Sequence, residues 1–236
     1  MNIYPVILAA GRGSRLQLVH QPKALIPIKN KSLIFHTLET LQKLELPTIH
    51  IVIGYLGKVI QTRVNALYSN ISYIKQDFLN GTGGALLQVF RQGHIKEDDA
   101  LLVLNGDDSW LYTIDDLKAM IAKAHQTKLV VMVTSANQEE YSYYRKVILD
   151  SDGRFARFSD EPMRGEFLVC GCYIATKRLY QELLAQVDPT PYGEIGLADI
   201  LSHIDPSQVE VCVIPNEHWH GINTLQELEK AQAKIN

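Results

Sequence analysis

Cysteine is scarce in this 236-residue chain, and its three copies, Cys170, Cys172 and Cys212, are odd in number. A small secreted domain stapled by disulfides carries an even, dense set, so that class is excluded and reduced thiols are expected. Neither sign of charge dominates: 23 Lys and Arg against 26 Asp and Glu leave a formal net charge of -3. Without a basic field, no attraction to nucleic acid or to an anionic membrane surface is expected, and any polyanionic ligand must be held by a few local cations. No apolar run approaches the ~20 residues that span a bilayer, and Met1-Asn2-Ile3-Tyr4-Pro5 offers no basic region ahead of an apolar one. The expectation is a cytoplasmic protein with no membrane or nucleic-acid partner. Repeats, low-complexity tracts and Pro/Gly/Ser linkers are missing too, which predicts one domain over residues 1–236.

What is present is alternation. Apolar runs at 3–10, 49–54, 71–74, 101–105 and 129–135 read as strands buried on both faces, the mark of a parallel sheet. Between them Ile34, Leu38 and Leu41, then Ile60, Val64 and Leu67, then Leu117, Ile121 and Ala124 recur at helical spacing, with Ser32 and Thr113 placed as N-caps. Strands alternating with helices predict a doubly wound, mostly parallel α/β fold. The pattern changes after Ser135, where 141–149 and 154–158 flank Asp152-Gly153, a dipeptide suited to a hairpin turn. A small antiparallel insertion is therefore expected. A strand at 167–175, a helix from Thr176, a short helix after Gly193, a strand at 209–214 and a helix from Thr224 complete the order.

Leu8-Ala9-Ala10-Gly11-Arg12-Gly13-Ser14-Arg15-Leu16 follows the first strand, where an open parallel sheet takes its ligands. Small residues there let backbone N–H groups approach phosphate closely. Leu16 stands where the dinucleotide fingerprint needs a third Gly or Ala, and G-x-x-x-x-G-K-[ST] occurs nowhere, so neither of those patterns applies. A bare Gly-x-Gly is more often a plain turn, and an isolated Arg or Lys more often a solvated charge. Here Arg15 lies in the same loop and Gln21-Pro22-Lys23-Ala24-Leu25 follows closely, adding a planar fork and a point charge that both suit phosphate.

These residues resemble the sugar-phosphate nucleotidyltransferase family, whose opening motif is L-A-A-G-x-G-[ST]-R-[LM] followed by P-K. Within it the chain is similar to the N-terminal domain of N-acetylglucosamine 1-phosphate uridylyltransferases. The resemblance implies a Rossmann-like, GT-A-type nucleotidyltransferase fold. It also implies that Leu8, Ala9, Ala10, Gly11 and Gly13 wrap the phosphates of an NTP, that Arg15 contacts the transferring and leaving phosphates, and that Lys23 balances charge near the α-phosphate. Gln76, followed by Gly81-Thr82-Gly83-Gly84-Ala85, looks like the family's second nucleotide segment. An amide offers a donor and an acceptor together, which suits a uracil or thymine edge and favours UTP or dTTP. Asp107, in Asn105-Gly106-Asp107-Asp108, matches the family's Mg²⁺ ligand, with Asn223 as its late partner and Asp108 outside the ligand set. Mg²⁺ takes oxygen ligands, few of them from protein.

Gly193-Glu194-Ile195-Gly196-Leu197-Ala198-Asp199 resembles the family's G-E-x-x-L-T-D segment and places Glu194 on the sugar side. Asp160 stands one carbon shorter where relatives read V-E-K-P, and Val169 stands where uridylyltransferase relatives carry a sugar-contacting Asn. Changed polar groups point to a changed acceptor. The implied activity joins an NTP to a sugar 1-phosphate, giving a nucleotide sugar for cell-envelope polysaccharide and pyrophosphate. Residues 1–135 would mainly hold the NTP and 136–236 the sugar phosphate. Hexapeptide repeats are absent, so the acetyltransferase half of bifunctional relatives is not expected. Two alternatives stay open: a cytidylyl- or guanylyltransferase acting on a heptose, mannose, muramic-acid or polyol phosphate, and a nucleotide-sugar sensor without turnover. Homo-oligomerisation is left open. His218 with His220, and Cys170 with Cys172, lack the further ligands of a zinc site.

Overall fold

The computed structural model describes residues 1–16, 20–135, 144–161, 167–188 and 193–233. Its strands are β1 (Ile3–Ala9), β2 (Pro27–Ile28), β3 (Lys31–Ser32), β4 (Ile49–Ile53), β5 (Ile71–Lys75), β6 (Ala100–Asn105), β7 (Leu129–Thr134), β8 (Lys146–Leu149), β9 (Phe155–Ser159), β10 (Phe167–Thr176) and β11 (Val209–Ile214). The helices are α1 (Leu33–Gln42), α2 (Gly57–Asn65), α3 (Gly81–Gln92), α4 (Ile114–Lys123), α5 (Lys177–Leu184), α6 (Leu197–Leu201) and α7 (Leu225–Ala233). Among the described residues the main sheet runs β11-β7-β10-β6-β1-β4-β5, with β8 on β10 and β9 on β8. β1 is parallel to β4 and β6, β4 to β5, and β7 to β11.

β10 is antiparallel to both β6 and β7 and separates them. The sequence pattern put these two apolar runs in one parallel sheet; they share the sheet but are not neighbours. The cause lies in β10, which is buried without a break from Leu168 to Ala175. A strand apolar on both sides is stable only inside a sheet, not at its edge.

The two-residue period of each strand divides its side chains between two cores. On one face Leu102, Leu104, Val130 and Met132 meet Ile34 and Leu38 of α1, Ile60 and Val64 of α2, and Leu117 and Met120 of α4. On the other, Leu101, Val103, Val131 and Val133 meet Leu86 and Val89 of α3, Leu179 and Leu183 of α5, and Ile200 of α6. This is the double winding that the alternation predicts, and each fully buried Leu or Ile stabilises it by roughly 1.5–3 kcal/mol. Cys170, Cys172 and Cys212 are free and buried in the first core. Burial is the main reason their thiols sit above the ordinary cysteine range.

Element ends follow local chemistry. Thr113 accepts from Asp116 N–H while the Asp116 carboxylate accepts from Thr113 N–H at 2.8 Å, a capping box that starts α4. Ser32 occupies the N-cap position of α1, but its side chain makes no capping bond. Leu67 is not part of a buried helical stripe: α2 ends at Asn65 and Leu67 is 68% exposed. The expected hairpin forms between β8 and β9, with Gly153 at φ 75°. Asp150 organises its turn, its Oδ1 accepting from the N–H of Asp152 and of Arg154 at 2.9 Å each. The stretch 141–143, assigned to the first hairpin strand from sequence, lies outside the described residues.

Candidate active site

Beyond the carboxyl ends of the parallel strands lies a cleft of about 1190 Å³. β1 delivers Leu8 and Ala9 to its wall, and the chain then passes through Ala10, Gly11 and Gly13 along the same wall. Leu16 anchors this loop: its side chain is buried and its N–H donates to Gly13 O at 2.9 Å. Arg15, one residue earlier, is thereby held at the cleft. Pro22 opens the next turn, Leu25 N–H bonding to Pro22 O at 2.9 Å, and with Ala24 and Leu25 buried the turn presents Lys23.

Lys23, Asp107 and Asn223 meet in this cleft. Lys23 Nζ donates to Asp107 Oδ2 and, at 2.9 Å, to Asn223 Oδ1, and Arg15 Nη2 reaches the same Oδ1 at 3.3 Å. Asn223 Nδ2 donates to Tyr144 Oη at 2.6 Å, which sets the amide with its oxygen toward the cations. The backbone of Asn223 is held as well. Buried Glu227 accepts from Asn223 N–H at 2.7 Å and Thr224 N–H at 2.8 Å, while its own N–H donates to Thr224 Oγ1 at 3.2 Å. Thr224-x-x-Glu227 is a capping-box spelling, the signal by which sequence reasoning could have found Glu227. Ile222 N–H bonding to Asp107 O at 3.3 Å ties this segment to the loop after β6.

Gln76 is buried on the cleft wall, and its amide nitrogen donates to Asn80 Oδ1 at 3.0 Å and Gly81 O at 3.1 Å. Both amide hydrogens are engaged. The donor-plus-acceptor pair expected from sequence is therefore reduced to an acceptor, the carbonyl oxygen. Gly81 and Thr82 also line the cleft, although Thr82 Oγ1 already accepts from Leu197 N–H at 2.7 Å. That bond, with Gly83 N–H to Ile195 O at 2.8 Å, stitches the start of α3 to the segment after Glu194.

The nucleotidyl transferase family model matches residues 4–236. The chain belongs to that family. The bifunctional protein GlmU of Azoarcus sp. (strain BH72) is 29% identical over 238 residues, covering 95% of this chain and 51% of the relative. GlmU of Syntrophomonas wolfei is 25% identical over 242 residues, 98% of this chain and 53% of its own length. The chain thus spans about half the length of the curated relatives it matches. Among solved structures, HddC from Yersinia pseudotuberculosis superposes with a TM-score of 0.77 at 22% identity over 99% of each chain. A UDP-glucose pyrophosphorylase complexed with UDP-glucose gives 0.77 at 19% identity, over 100% of this chain and 98% of the other. At these identities the likeness is one of fold, and it bears out the α/β, Rossmann-like architecture.

In this nucleotidyl transferase the far wall of the cleft holds Val169, buried on β10, and exposed Glu194. Asp160 is the departure: it does not line the cleft. Its carboxylate forks onto Arg145 at 2.7 Å through both oxygens, Arg145 also bonds Asp199 Oδ1 at 2.8 Å, and it is Arg145 that faces the cleft. Sequence reasoning missed Arg145 because the Tyr144-Arg145 pair matches no motif. It also missed Gly171, at φ 72° within β10, where a Cβ would run into the Asp108 carboxylate and the Asn105 amide. A lone Gly between Cys170 and Cys172 in an apolar run was the available signal for close backbone approach.

Asp108 lies directly behind the site. It is buried, Asn105 Nδ2 donates to its Oδ2 at 3.2 Å, and its Oδ1 has no hydrogen-bond partner among the described residues. Burial first, and the Asp107 carboxylate second, hold its carboxyl well above the usual carboxylate range. His218 is paired with Asp116 at 3.0 Å and His220 Nε2 with Glu227 O at 2.8 Å, so both belong to the scaffold. Among the described residues no helix is long and apolar enough to cross a membrane.

Proposed function

We propose that this chain transfers a nucleotidyl group from an NTP, with UTP or dTTP favoured, to a sugar 1-phosphate, releasing pyrophosphate. The observation that carries the reading is the meeting of Arg15, Lys23, Asp107 and Asn223 in one cleft, beside a glycine loop at the end of β1. Transfers of this class depend on in-line positioning and charge stabilisation rather than on a protein nucleophile. Residues 1–135 would mainly hold the NTP and 136–236 the sugar phosphate. Arg15 and Lys23 would neutralise charge that develops on the phosphates, and the Gln76 oxygen would accept the imide N–H of the base.

The donor set fits Mg²⁺. Two oxygens, Asp107 Oδ2 and Asn223 Oδ1, already converge on a single cation, the Lys23 ammonium. Asp107 and Asn223 would hold the metal, with phosphates and water completing its oxygen shell. When bound, Mg²⁺ supplies charge neutralisation on the leaving pyrophosphate. Val169 replaces a polar sugar contact of the uridylyltransferase relatives, so the acceptor is proposed to differ from N-acetylglucosamine 1-phosphate.

One observation favours a second reading. A lone acceptor at Gln76 also suits guanine, whose N1–H is a ring-amide donor, so a guanylyltransferase stands next in line. A pyrophosphate-release screen of four NTPs against a panel of sugar 1-phosphates tests both readings. Release with UTP or dTTP at least tenfold above GTP supports the first, dominant GTP the second, and no release with any pair refutes transfer.

A further inference from the structure

We propose that Phe78 is the stacking surface for the nucleobase of the nucleotide this cleft takes, a role that rests on the nucleotidyl-transfer reading above. The ring is 83% exposed. Among the described residues five other large hydrophobic side chains are exposed, Met1, Val59, Leu67, Val213 and Leu225, and none of those lines the cleft; Phe78 does. A large aromatic surface held in water at the mouth of a binding cleft is an informative exposure, unlike a scattered aliphatic one.

The backbone explains its placement. Gln76 N–H bonds Ile53 O at 2.9 Å, carrying the chain past the end of β5 alongside β4, and Asn80 N–H closes a tight turn on Phe78 O at 2.9 Å. Leu79 takes the inward place, packing over Gly54, where a Cβ would come within 2.8 Å of Leu79 Cδ2. With Gln76 buried on one side and Leu79 packed on the other, Phe78 is left to the cleft mouth. The neighbouring loop brings Tyr55 to the same cleft, its N–H bonded to Ala10 O at 3.0 Å and the Arg12 guanidinium 5.7 Å from its ring centroid. Flat π and guanidinium surfaces beside a buried amide acceptor suit a planar heterocycle.

The two kinds of contact divide the work. Stacking contributes affinity and tolerates any base, whereas the Gln76 oxygen distinguishes base edges. Because the ring is exposed, truncating it removes no core contact. Calorimetry on the full chain in Mg²⁺ buffer without acceptor, so that nothing turns over, reads the effect directly. Phe78→Ala should weaken UTP about tenfold and GTP by a similar factor, leaving their ratio and the affinity for inorganic tripolyphosphate unchanged, while Phe78→Trp stays near native. Native UTP affinity in Phe78→Ala overturns the proposal, and so does an equal loss for tripolyphosphate, which would place the effect on the phosphates. Sedimentation showing that Phe78→Ala dissociates an oligomer while base affinity stays native assigns the ring to an interface instead. If the native protein binds none of the NTPs, the nucleotidyl-transfer reading falls and takes this role with it, a result distinct from native binding without Phe78 dependence.

Discussion

Lys23→Met should let the substrate-free protein bind a divalent cation that the native protein holds weakly. In the native cleft the ammonium sits against Asp107 Oδ2 and Asn223 Oδ1, with the Lys23 and Asp107 side chains only 16% and 23% exposed. Two unit charges about 4 Å apart at an effective dielectric of about 20 interact by about 4 kcal/mol. Screening by water and salt at a partly open site lowers this to about 1.5–3 kcal/mol. A free cation must displace that interaction to reach Asp107, so removing the ammonium should tighten Mn²⁺ binding roughly 10- to 100-fold. Methionine keeps most of the apolar stem, which packs against Gly13, while deleting the charge. The assay is Mn²⁺ titration of the substrate-free protein, read as free Mn²⁺ by paramagnetic resonance. Arg12→Met is the control: it removes the same charge from the same cleft, at a residue whose guanidinium lies over the Tyr55 ring. Equal Mn²⁺ affinity in native and Lys23→Met protein would refute the reasoning. An equal gain in Arg12→Met would reduce it to net charge.

Three further outcomes are expected. Asp107→Asn should keep the circular dichroism of the fold but lose two or more orders of magnitude in kcat, about 3 kcal/mol, measured at saturating substrates and several Mg²⁺ levels; near-native turnover would remove Asp107 from the chemistry. Gly171→Ala should destabilise the protein by about 2–4 kcal/mol, since it combines a left-handed backbone position with a clash against Asp108 and Asn105, and an unchanged urea midpoint would contradict that account. Val169→Asn should shift acceptor preference toward N-acetylglucosamine 1-phosphate, at about 1–3 kcal/mol of stability for placing an amide in a buried apolar site, and an unchanged acceptor profile would show that this position does not select the sugar.

Much of the scaffold was legible because it rests on short-range periodicity. Residues 49–54 and 209–214 are apolar at the spacing of buried strands, and Thr113 and Thr176 start helices through bonds three residues long. The glycine loop with Arg15 and the segment with Lys23 were likewise written in two short motifs close together in the chain. The sequence by itself determined the two-core alternation, the hairpin at Gly153 and the motifs that carry Arg15 and Lys23, since each depends on neighbours along the chain. Tertiary structure alone decided four things. It put β10 between β6 and β7, because only the finished sheet shows where a strand apolar on both faces can be covered. It joined Lys23 to Asp107 and Asn223, 84 and 200 residues away, and set Arg145 rather than Asp160 on the cleft wall. It committed the Gln76 donors to Asn80 and Gly81, because a side chain's free hydrogen-bonding capacity is what remains after the fold has taken its share.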